Sequence, residues 1–265
     1  MKKQEVGKVM YVEHVLLCED SEEGVFSGIY EAYARKFDLN NTRICIGEEN
    51  ELRLFATYHQ IEKNNEKAAK VARTIKKLAG AEVYQQISVA LSSIDNEKGQ
   101  AVFRTIVQII HEPENARYVM NRLNDVYVHK TFTLFRNVQN EAHRMKEFLR
   151  FKELENGVLY SRIGPHNNVL ASLMPHFSDR FPLENFLIYD EGRNLLGVHP
   201  ARQDWYLIRG MKIEDNLLSE STGEEKYREL FRYFCHKIAI KERKNLDLQQ
   251  NMLPLRFREY MVEFD

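Results

Sequence analysis

The chain has 265 residues, of which 43% are hydrophobic and 29% charged, and its formal net charge is -1. This length predicts one compact body with two lobes. Near-neutrality excludes a strong overall field for nucleic acid, so any basic surface must come from local segregation of charge.

The composition excludes several further classes of protein. The apolar runs are too short to span a bilayer, and the N-terminal segment lacks the small-residue cleavage site of a signal peptide. Cys18, Cys45 and Cys235 form no CxxC pair, which excludes a thiolate zinc site and a sulfur-ligated iron cluster. We therefore expect a reduced protein of the cytoplasm.

Residues 1–61 predict a strand–helix–strand lobe. Ser21 followed by Glu22 and Glu23 is typical of a helix start, because a hydroxyl caps free N–H groups and acids favour the positive end of the helix dipole. Alternating, β-rich segments predict strands at residues 9–18, 42–47 and 52–61.

Residues 65–129 predict a helical middle. The first helix ends at Gly80, a residue typical of a left-handed cap, and Pro113 separates the last two helices. The four predicted helices cover residues 65–80, 82–92, 97–111 and 115–129. A fifth helix follows, with apolar residues three or four apart that face the core: Phe135, Val138, Ala142, Met145 and Leu149.

Beyond this helix the hydrophobic period shortens to two. Predicted strands at residues 148–154 and 158–163 flank Asn156-Gly157, a strong hairpin signal. A helical stretch at 168–180 is interrupted at Pro175, and further strands are predicted at 186–190, 195–199 and 205–209. Residues 222–225, Thr-Gly-Glu-Glu, predict a capping box that opens a long amphipathic helix.

Runs of strands and runs of helices, without βαβ alternation, predict an α+β fold. We expect two domains, residues 1–130 and residues 131–265. The second is predicted to be an antiparallel ββαββ unit with a long basic helix.

The segment NEAHRMKEFLRF, residues 140–151, concentrates polar groups where the fifth helix hands over to a strand. His143 with Arg144 and Lys146 beside it could hold an anion or move a proton. Alternatively, these residues form a solvated helix face with local ion pairs, since Glu141 and Arg144 are three residues apart and able to pair.

Two further segments carry a similar mixture. In MPHFSDRFP, residues 174–182, Pro175 would start a helical turn with His176, Asp179 and Arg180 on one side. There the Asp could orient the His and the Arg could clamp a phosphate, or the Asp and Arg could simply pair. In IYDEGR, residues 188–193, Asp190 ends a strand and Arg193 follows in what is otherwise an ordinary turn.

The C-terminal segment is locally basic. Residues 226–258 contain nine Lys or Arg and three Asp or Glu, a balance of +6, and aromatic residues interleave with the cations of the long helix. This combination suits a phosphate backbone and stacked bases. Alternatively, the aromatics form the core stripe of the helix and the cations its solvated face.

Motifs for metals and cofactors are missing from the sequence. There is no HExxH or HxH, so we expect no metal site. GxGxxG, the P-loop pattern and GxSxG are also missing, which leaves nucleotide-fold and serine-hydrolase readings without support and any cofactor unassigned.

Five segments resemble one bacterial family whose members are named as probable DNA metabolism proteins with a domain of unknown function. The segments are LLCEDSEEGVFSGIYEAYARK, NEAHRMKEFLRFKEL, LMPHFSDRFP, FLIYDEGR and ERKNLDLQQNMLPLRFREYMVEF, in the same order along the chain. The family's genes accompany a radical-SAM protein thought to modify or repair DNA, and some relatives carry a fused uracil-DNA glycosylase-like domain. The resemblance therefore implies DNA repair or modification beside a radical-SAM partner.

Positions carry over from this family one by one. The matching motif residues are Glu141, His143, Arg144, Lys146, Arg150, His176, Phe177, Asp179, Arg180, Tyr189, Asp190 and Arg193. The chain departs from the family at Asn167, where relatives place a His, and at Glu147, where relatives often have a small residue. It lacks the CxxxCxxC pattern and so cannot itself perform radical-SAM chemistry.

Three hypotheses follow. In the first, the protein binds DNA and acts beside the radical-SAM partner, with anion contacts from Arg144, Lys146, Arg150, Arg180, Arg193, Lys237, Lys241, Arg243 and Lys244. In the second, it is an enzyme acting on a phosphodiester or a damaged base, with His143, His176, Asp179 and Asp190 in acid–base roles. In the third, it is a non-catalytic protein-interaction scaffold whose docking surface is the helical middle, residues 65–129; exposure of Ile106, Ile109 and Ile110 would favour this hypothesis.

Overall fold

A computed structural model of the protein describes residues 12–47, 53–213, 219–238, 245–261 and 264. The chain divides into two compact units, Met1–Val138 (unit 1) and Gln139–Asp265 (unit 2). The division expected from the sequence was at residues 130 and 131. The expected boundary and the observed boundary, between Val138 and Gln139, both lie within one long helix, α5 (Val126–Phe148).

Unit 1 contains a three-stranded sheet of β1 (Glu13–Cys18), β2 (Thr42–Ile46) and β3 (Ala56–Gln60), in the order β2-β1-β3. Both ladders are parallel. The helix α1 (Glu22–Ala34) connects β1 to β2, so this lobe contains a βαβ unit and the expectation of no such alternation was wrong. A parallel pair requires a crossover of this kind, and the helix supplies it.

Local cap signals of unit 1 are confirmed. The Ser21 side chain accepts a hydrogen bond from the Gly24 N–H at 3.0 Å and starts α1. The helices α2 (Asn65–Ala79), α3 (Ala81–Leu91) and α4 (Lys98–His111) follow within two residues of their expected bounds. Gly80 has the expected positive φ of 94°, but its ψ of 170° is extended, because it links two helices directly instead of closing a left-handed cap.

The expected helix at residues 115–129 was wrong. The chain forms a 3-10 turn at Ala116–Asn121, and α5 starts only at Val126. Asp125 explains the late start: its carboxylate accepts hydrogen bonds from the N–H groups of Tyr127 and Val128 at 2.9 and 3.0 Å, the typical role of a residue before a helix.

Unit 2 contains a five-stranded sheet in the order β4-β5-β6-β7-β8. Its strands are β4 (Lys152–Glu153), β5 (Leu159–Ile163), β6 (Phe186–Asp190), β7 (Leu195–His199) and β8 (Tyr206–Arg209). The α+β class is confirmed, but the all-antiparallel arrangement was wrong. The β5–β6 ladder is parallel, with Ile163 opposite Asp190, because α6 (Leu170–Arg180) crosses between these strands.

The region around β4 shows why the helix-to-strand boundary was misplaced. The strand was expected from residue 148, but α5 continues to Phe148 and β4 has only two residues. The buried stripe of Ala142, Met145 and Leu149 holds the helix in place to its end. The predicted hairpin is confirmed, with Gly157 at φ 76° in its turn.

Pro175 lies inside α6 and neither interrupts nor starts it, contrary to both expectations. A proline in a helix interior removes one hydrogen bond and costs about 3 kcal/mol. Burial offsets this cost: Phe177 is buried, and the Phe151 ring packs edge-on against the rings of Phe177 and Phe186 at 5.3 and 5.6 Å. Each such buried side chain contributes roughly 1.5–3 kcal/mol.

Three helices complete unit 2: α7 (Glu224–Ile238), α8 (Leu246–Met252) and α9 (Leu255–Arg258). The long helix was expected. Among the described residues, no hydrogen bond of the predicted capping box joins Thr222 and Glu225, and the first residue of the helix makes a different contact. The Glu224 carboxylate accepts a hydrogen bond from the Glu153 N–H at 2.9 Å, which ties the start of α7 to β4.

Candidate functional site

Glu141, the first carboxylate of the NEAHRMKEFLRF segment, is buried on α5 and does not pair with Arg144. It accepts hydrogen bonds from the backbone N–H groups of His166 and Asn167 at 3.0 and 2.8 Å, and from the Asn167 side chain at 2.7 Å. The Arg256 guanidinium lies 2.9 Å from Oε1, the same oxygen that accepts from the His166 N–H. The expected local ion pair with Arg144 was wrong because the carboxylate faces the interior.

Arg193 holds the same segment of backbone from another direction. Its guanidinium donates to the Pro165 carbonyl at 3.0 Å and to the His166 carbonyl. It also donates to the Asp190 carboxylate at 3.1 Å. Glu141 accepts from the N–H groups of residues 166 and 167, and Arg193 donates to the carbonyls of residues 165 and 166. The two side chains therefore hold the backbone of one loop, residues 165–167, by hydrogen bonds.

Asp190 is fully buried at the end of β6. Burial raises the pKa of its carboxyl, and the neighbouring Arg193 charge offsets part of that rise. We call this cluster the buried node; it consists of Glu141, Asn167, Asp190, Arg193 and Arg256. Two of the three polar segments singled out in the sequence, residues 140–151 and 188–193, thus meet at one loop, whereas the segment 174–182 contributes no residue to the node.

A second set of charged residues lies in solvent on the last turns of α5 and α6. His143 is exposed, with Glu147 at 3.3 Å on the same helix. The pKa of His176 is lowered first by burial and then by the positive charges of Lys146 and Arg180, while Asp179 acts in the opposite sense. The ends of the two helices are therefore close enough to share one electrostatic field.

We call the surface formed by Lys146 and Arg180, together with His143 and His176, the cationic face; its positive charges are those of Lys146 and Arg180. His143 and Lys146 are three residues apart on α5 and are neighbours on its surface, while His176 and Arg180 are four apart on α6. Arg144 is also exposed, on the adjacent flank of α5. Arg150, two residues past the end of α5, donates to the carbonyls of Glu147 and Leu149.

The proposed acid–base residues are not joined by contacts. Asp190 is bonded to Arg193, and the ring of His176 packs edge-on against Phe177 at 5.0 Å. Among the residues that the structure describes, no hydrogen bond or ion pair links His143 or His176 to Asp179 or Asp190. The arrangement therefore holds a backbone loop and presents positive charge, but it does not assemble a His–Asp pair.

The basic C-terminal segment is divided among different roles. Arg228 pairs with Glu220 at 2.8 Å, and Arg256 belongs to the buried node. Lys237 is exposed, with its ammonium 5.2 Å from the centre of the Tyr233 ring. The predicted contacts Lys241, Arg243 and Lys244 lie outside the described residues.

The aromatics of α7 do not form a core stripe, so that interpretation was wrong. Five large apolar side chains that the structure describes on this helix are between 37% and 67% exposed. They are Tyr227, Leu230, Phe231, Tyr233 and Phe234, and we call them the aromatic face. By contrast, Ile106 and Ile109 are fully buried and Ile110 packs against the core of unit 1, which removes the surface expected for a scaffold.

A cavity of about 450 Å³ lies in unit 1, between the start of α3 and the 3-10 turn at Ala116–Asn121. None of the residues predicted for function lines it. In the described parts of the chain, no three His, Cys, Asp or Glu side chains are grouped as metal ligands, and no helix is both long and apolar enough to cross a membrane.

Unit 2 is thus an α+β unit with a buried polar node and exposed positive charge. A family model described as a domain of unknown function, DUF4130, matches residues 96–263, and the chain belongs to this family. No curated protein matches the chain.

Sequence reasoning missed Asn167 and Arg256 as members of the node. Asn167 carried a signal, since it is the position at which the chain departs from the resembling family. Arg256 lies in the last resembling segment, but its role could be seen only once α9 was placed beside α5.

Proposed function

We propose that the protein acts in DNA metabolism, in repair or modification, by binding DNA and working beside a radical-SAM partner in the cytoplasm. The observation that carries the DNA contact is the cationic face. The partner rests on the family resemblance alone.

The geometry of the cationic face supports a phosphate contact. Arg180 is exposed and Lys146 half-buried, and both lower the pKa of His176. Lysine and arginine side chains at such a surface can bind separate phosphates, and Arg can bind one in bidentate fashion. Since the chain as a whole has a net charge of -1, this local segregation is what would attract a polyanion.

Fluorescence anisotropy with a labelled 20-base-pair duplex tests the proposal. We expect the logarithm of the affinity to fall linearly with the logarithm of the salt concentration. The double variant Lys146→Glu/Arg180→Glu should lose roughly 10-fold or more in affinity and show a shallower salt slope.

The matched control is Arg209→Glu/Lys212→Glu, which makes the same change of charge at two exposed cations on and after β8. It should retain most of the affinity. An equal loss in both double variants would show that binding follows net charge alone, and an affinity that ignores salt would contradict a phosphate contact altogether.

The partner is tested separately. The purified protein is mixed with the radical-SAM protein encoded beside it, and the mixture is run on a sizing column. We expect one complex at micromolar concentrations; separate elution at every concentration would contradict this part of the proposal and leave the DNA contact untouched.

A further inference from the structure

The aromatic face of α7 has no counterpart in the proposed phosphate contact. Tyr227, Leu230, Phe231 and Phe234 follow the spacing i, i+3, i+4 and i+7, and Tyr233 lies beside Leu230. At about 100° per residue these five side chains span roughly 160° of the helix surface. A helix usually buries such a stripe, yet here every member is at least 37% exposed.

The flank of α7 next to Phe231 is the side that packs on unit 2. Glu224 is buried and bonded to the Glu153 N–H, and Arg228 pairs with Glu220. The attachment is therefore polar and the solvent side apolar, which is the reverse of an ordinary surface helix. An exposed apolar group of this size indicates a binding surface.

The charges within this surface are of one sign. By the same helical geometry, the charged residues in the arc of the aromatic face are Lys226 and Lys237, and both are exposed. The acids Glu225 and Glu229 lie on the far side. The Lys237 ammonium is 5.2 Å from the Tyr233 ring centre, so cation and aromatic group already form one surface.

The aromatic face also continues into the cationic face. The guanidinium carbon of Arg150, at the end of α5, lies 5.7 Å from the centre of the Phe231 ring. Arg150 lies two residues past the end of α5 and four residues after Lys146. Through Arg150, the segment that carries the cationic face thus contacts the aromatic face.

We infer that the aromatic face of α7 stacks the unpaired bases of single-stranded DNA, while Lys226 and Lys237 contact the adjoining phosphates. This inference rests on the proposed function and names the form of DNA that the protein takes. Aromatic rings beside lysines match unpaired bases, because every base has a stacking surface and every linkage a negative charge. In a duplex the base faces are covered by their neighbours.

The helix is long enough for this role. Tyr227 and Phe234 are seven residues apart, which is roughly 10 Å along the axis and room for about three nucleotides at 3.4 Å spacing. Four of the five apolar side chains are aromatic, and the two charged side chains within the arc of the face are both lysines.

The experiment compares three fluorescent probes of equal length by anisotropy: a single strand, the same strand with abasic sites throughout, and a hairpin duplex. The abasic strand keeps the phosphates and removes the bases. Wild type should bind the single strand roughly 10- to 100-fold more tightly than the abasic strand.

The variant Tyr227→Leu/Phe234→Leu keeps apolar side chains and removes two rings. It should lose about tenfold for each ring on the single strand and little on the abasic strand or the duplex. The matched control is Tyr118→Leu in unit 1, which changes a tyrosine as exposed as Tyr227, 67% in both cases, and should change no affinity.

The outcomes separate this inference from the proposed function. If wild type binds none of the probes, both are overturned. If it binds all three and Tyr227→Leu/Phe234→Leu lowers none of them, or lowers all equally, base stacking on α7 is overturned and phosphate binding stands. If sedimentation without DNA shows a dimer that the same double variant dissolves, the face is covered by a second copy and the inference is overturned.

Discussion

Two regions of unit 2 use charged residues of the same helix in opposite ways. Glu141 of α5 enters the buried node and makes three hydrogen bonds and an ion pair there. Lys146, little more than one turn later, belongs to the cationic face and acts on His176 through its charge. A motif segment rich in charge can therefore serve the fold and a partner at once, and burial together with the number of bonded partners distinguishes the two roles.

The largest effect is expected from Glu141→Ala. The substitution leaves the partly exposed Arg256 without its carboxylate, and it leaves the buried Asn167 N–H and the part-buried His166 N–H without an acceptor. The free energy of unfolding should fall by about 2–4 kcal/mol, because these donors lose their hydrogen-bond partner. Urea titration followed by circular dichroism measures it. The control Glu147→Ala, exposed on the same helix, should change it by less than about 0.5 kcal/mol; equal effects would contradict the node.

A smaller loss is expected from Asp190→Asn, about 1–3 kcal/mol at pH 7, because Asn keeps only one of the two acceptor oxygens of the carboxylate that bonds Arg193 and Gly192. Burial raises the pKa of Asp190, so the folded protein binds this proton more readily than the unfolded chain does. Wild type should therefore gain stability relative to Asp190→Asn as the pH falls from 7 towards 4. Paired urea titrations across this range measure the difference. If the difference in unfolding free energy between wild type and Asp190→Asn instead becomes smaller as the pH falls, the charge of Arg193 lowers the pKa of Asp190 by more than burial raises it.

The cationic face should contribute little to stability. Lys146→Glu/Arg180→Glu reverses two charges but breaks no hydrogen bond or ion pair among the described residues, so the free energy of unfolding should change by less than about 0.5 kcal/mol. Arg256→Gln, a cation of the buried node, provides the contrast and should cost about 2 kcal/mol or more. Comparable losses in the two variants would remove the distinction between the regions.

The smallest effect concerns the field of the cationic face itself. Burial, Lys146 and Arg180 together lower the pKa of His176, in that order. Lys146→Gln should therefore raise this pKa towards its ordinary value, as followed by NMR titration of the imidazole. Arg144→Gln, on the adjacent flank of α5, should move it less. If the pKa of His176 is unchanged in Lys146→Gln, then Lys146 on α5 does not act on His176 on α6, which would contradict the cationic face.

Local signals in the sequence predicted the elements that local chemistry controls. Ser21 and the acids after it start α1, and the β6–β7 hairpin has the expected bounds, Phe186–Asp190 and Leu195–His199. In the first case the cap is next to the helix that it starts, and in the second the turn is next to the two strands that it joins. The 3-10 turn at Ala116–Asn121 escaped prediction because its apolar spacing resembles that of a helix, while Asp125 sets the later start.

Strand partners and charge partners required the folded structure. The strands β5 and β6 pair in parallel because α6 crosses between them. No local signal in the sequence, such as a turn residue, predicts this pairing. The partner of Glu141 was expected at Arg144, three residues away, but it is Arg256, which is distant in sequence. A carboxylate can form an ion pair with a cation nearby in the sequence or with a distant one, and the sequence does not show which of them the fold brings close.

By itself, the sequence determined the α+β class, most helices, the two hairpins of unit 2 and the residues that carry charge, because capping, turn geometry and hydrophobic period act over a few residues. Only the tertiary structure decided that Glu141 and Asp190 are enclosed while Lys146 and Arg180 meet solvent, and that the rings of α7 are left uncovered. Burial depends on what the rest of the chain packs against a side chain, and that packing is formed by residues far apart in the sequence.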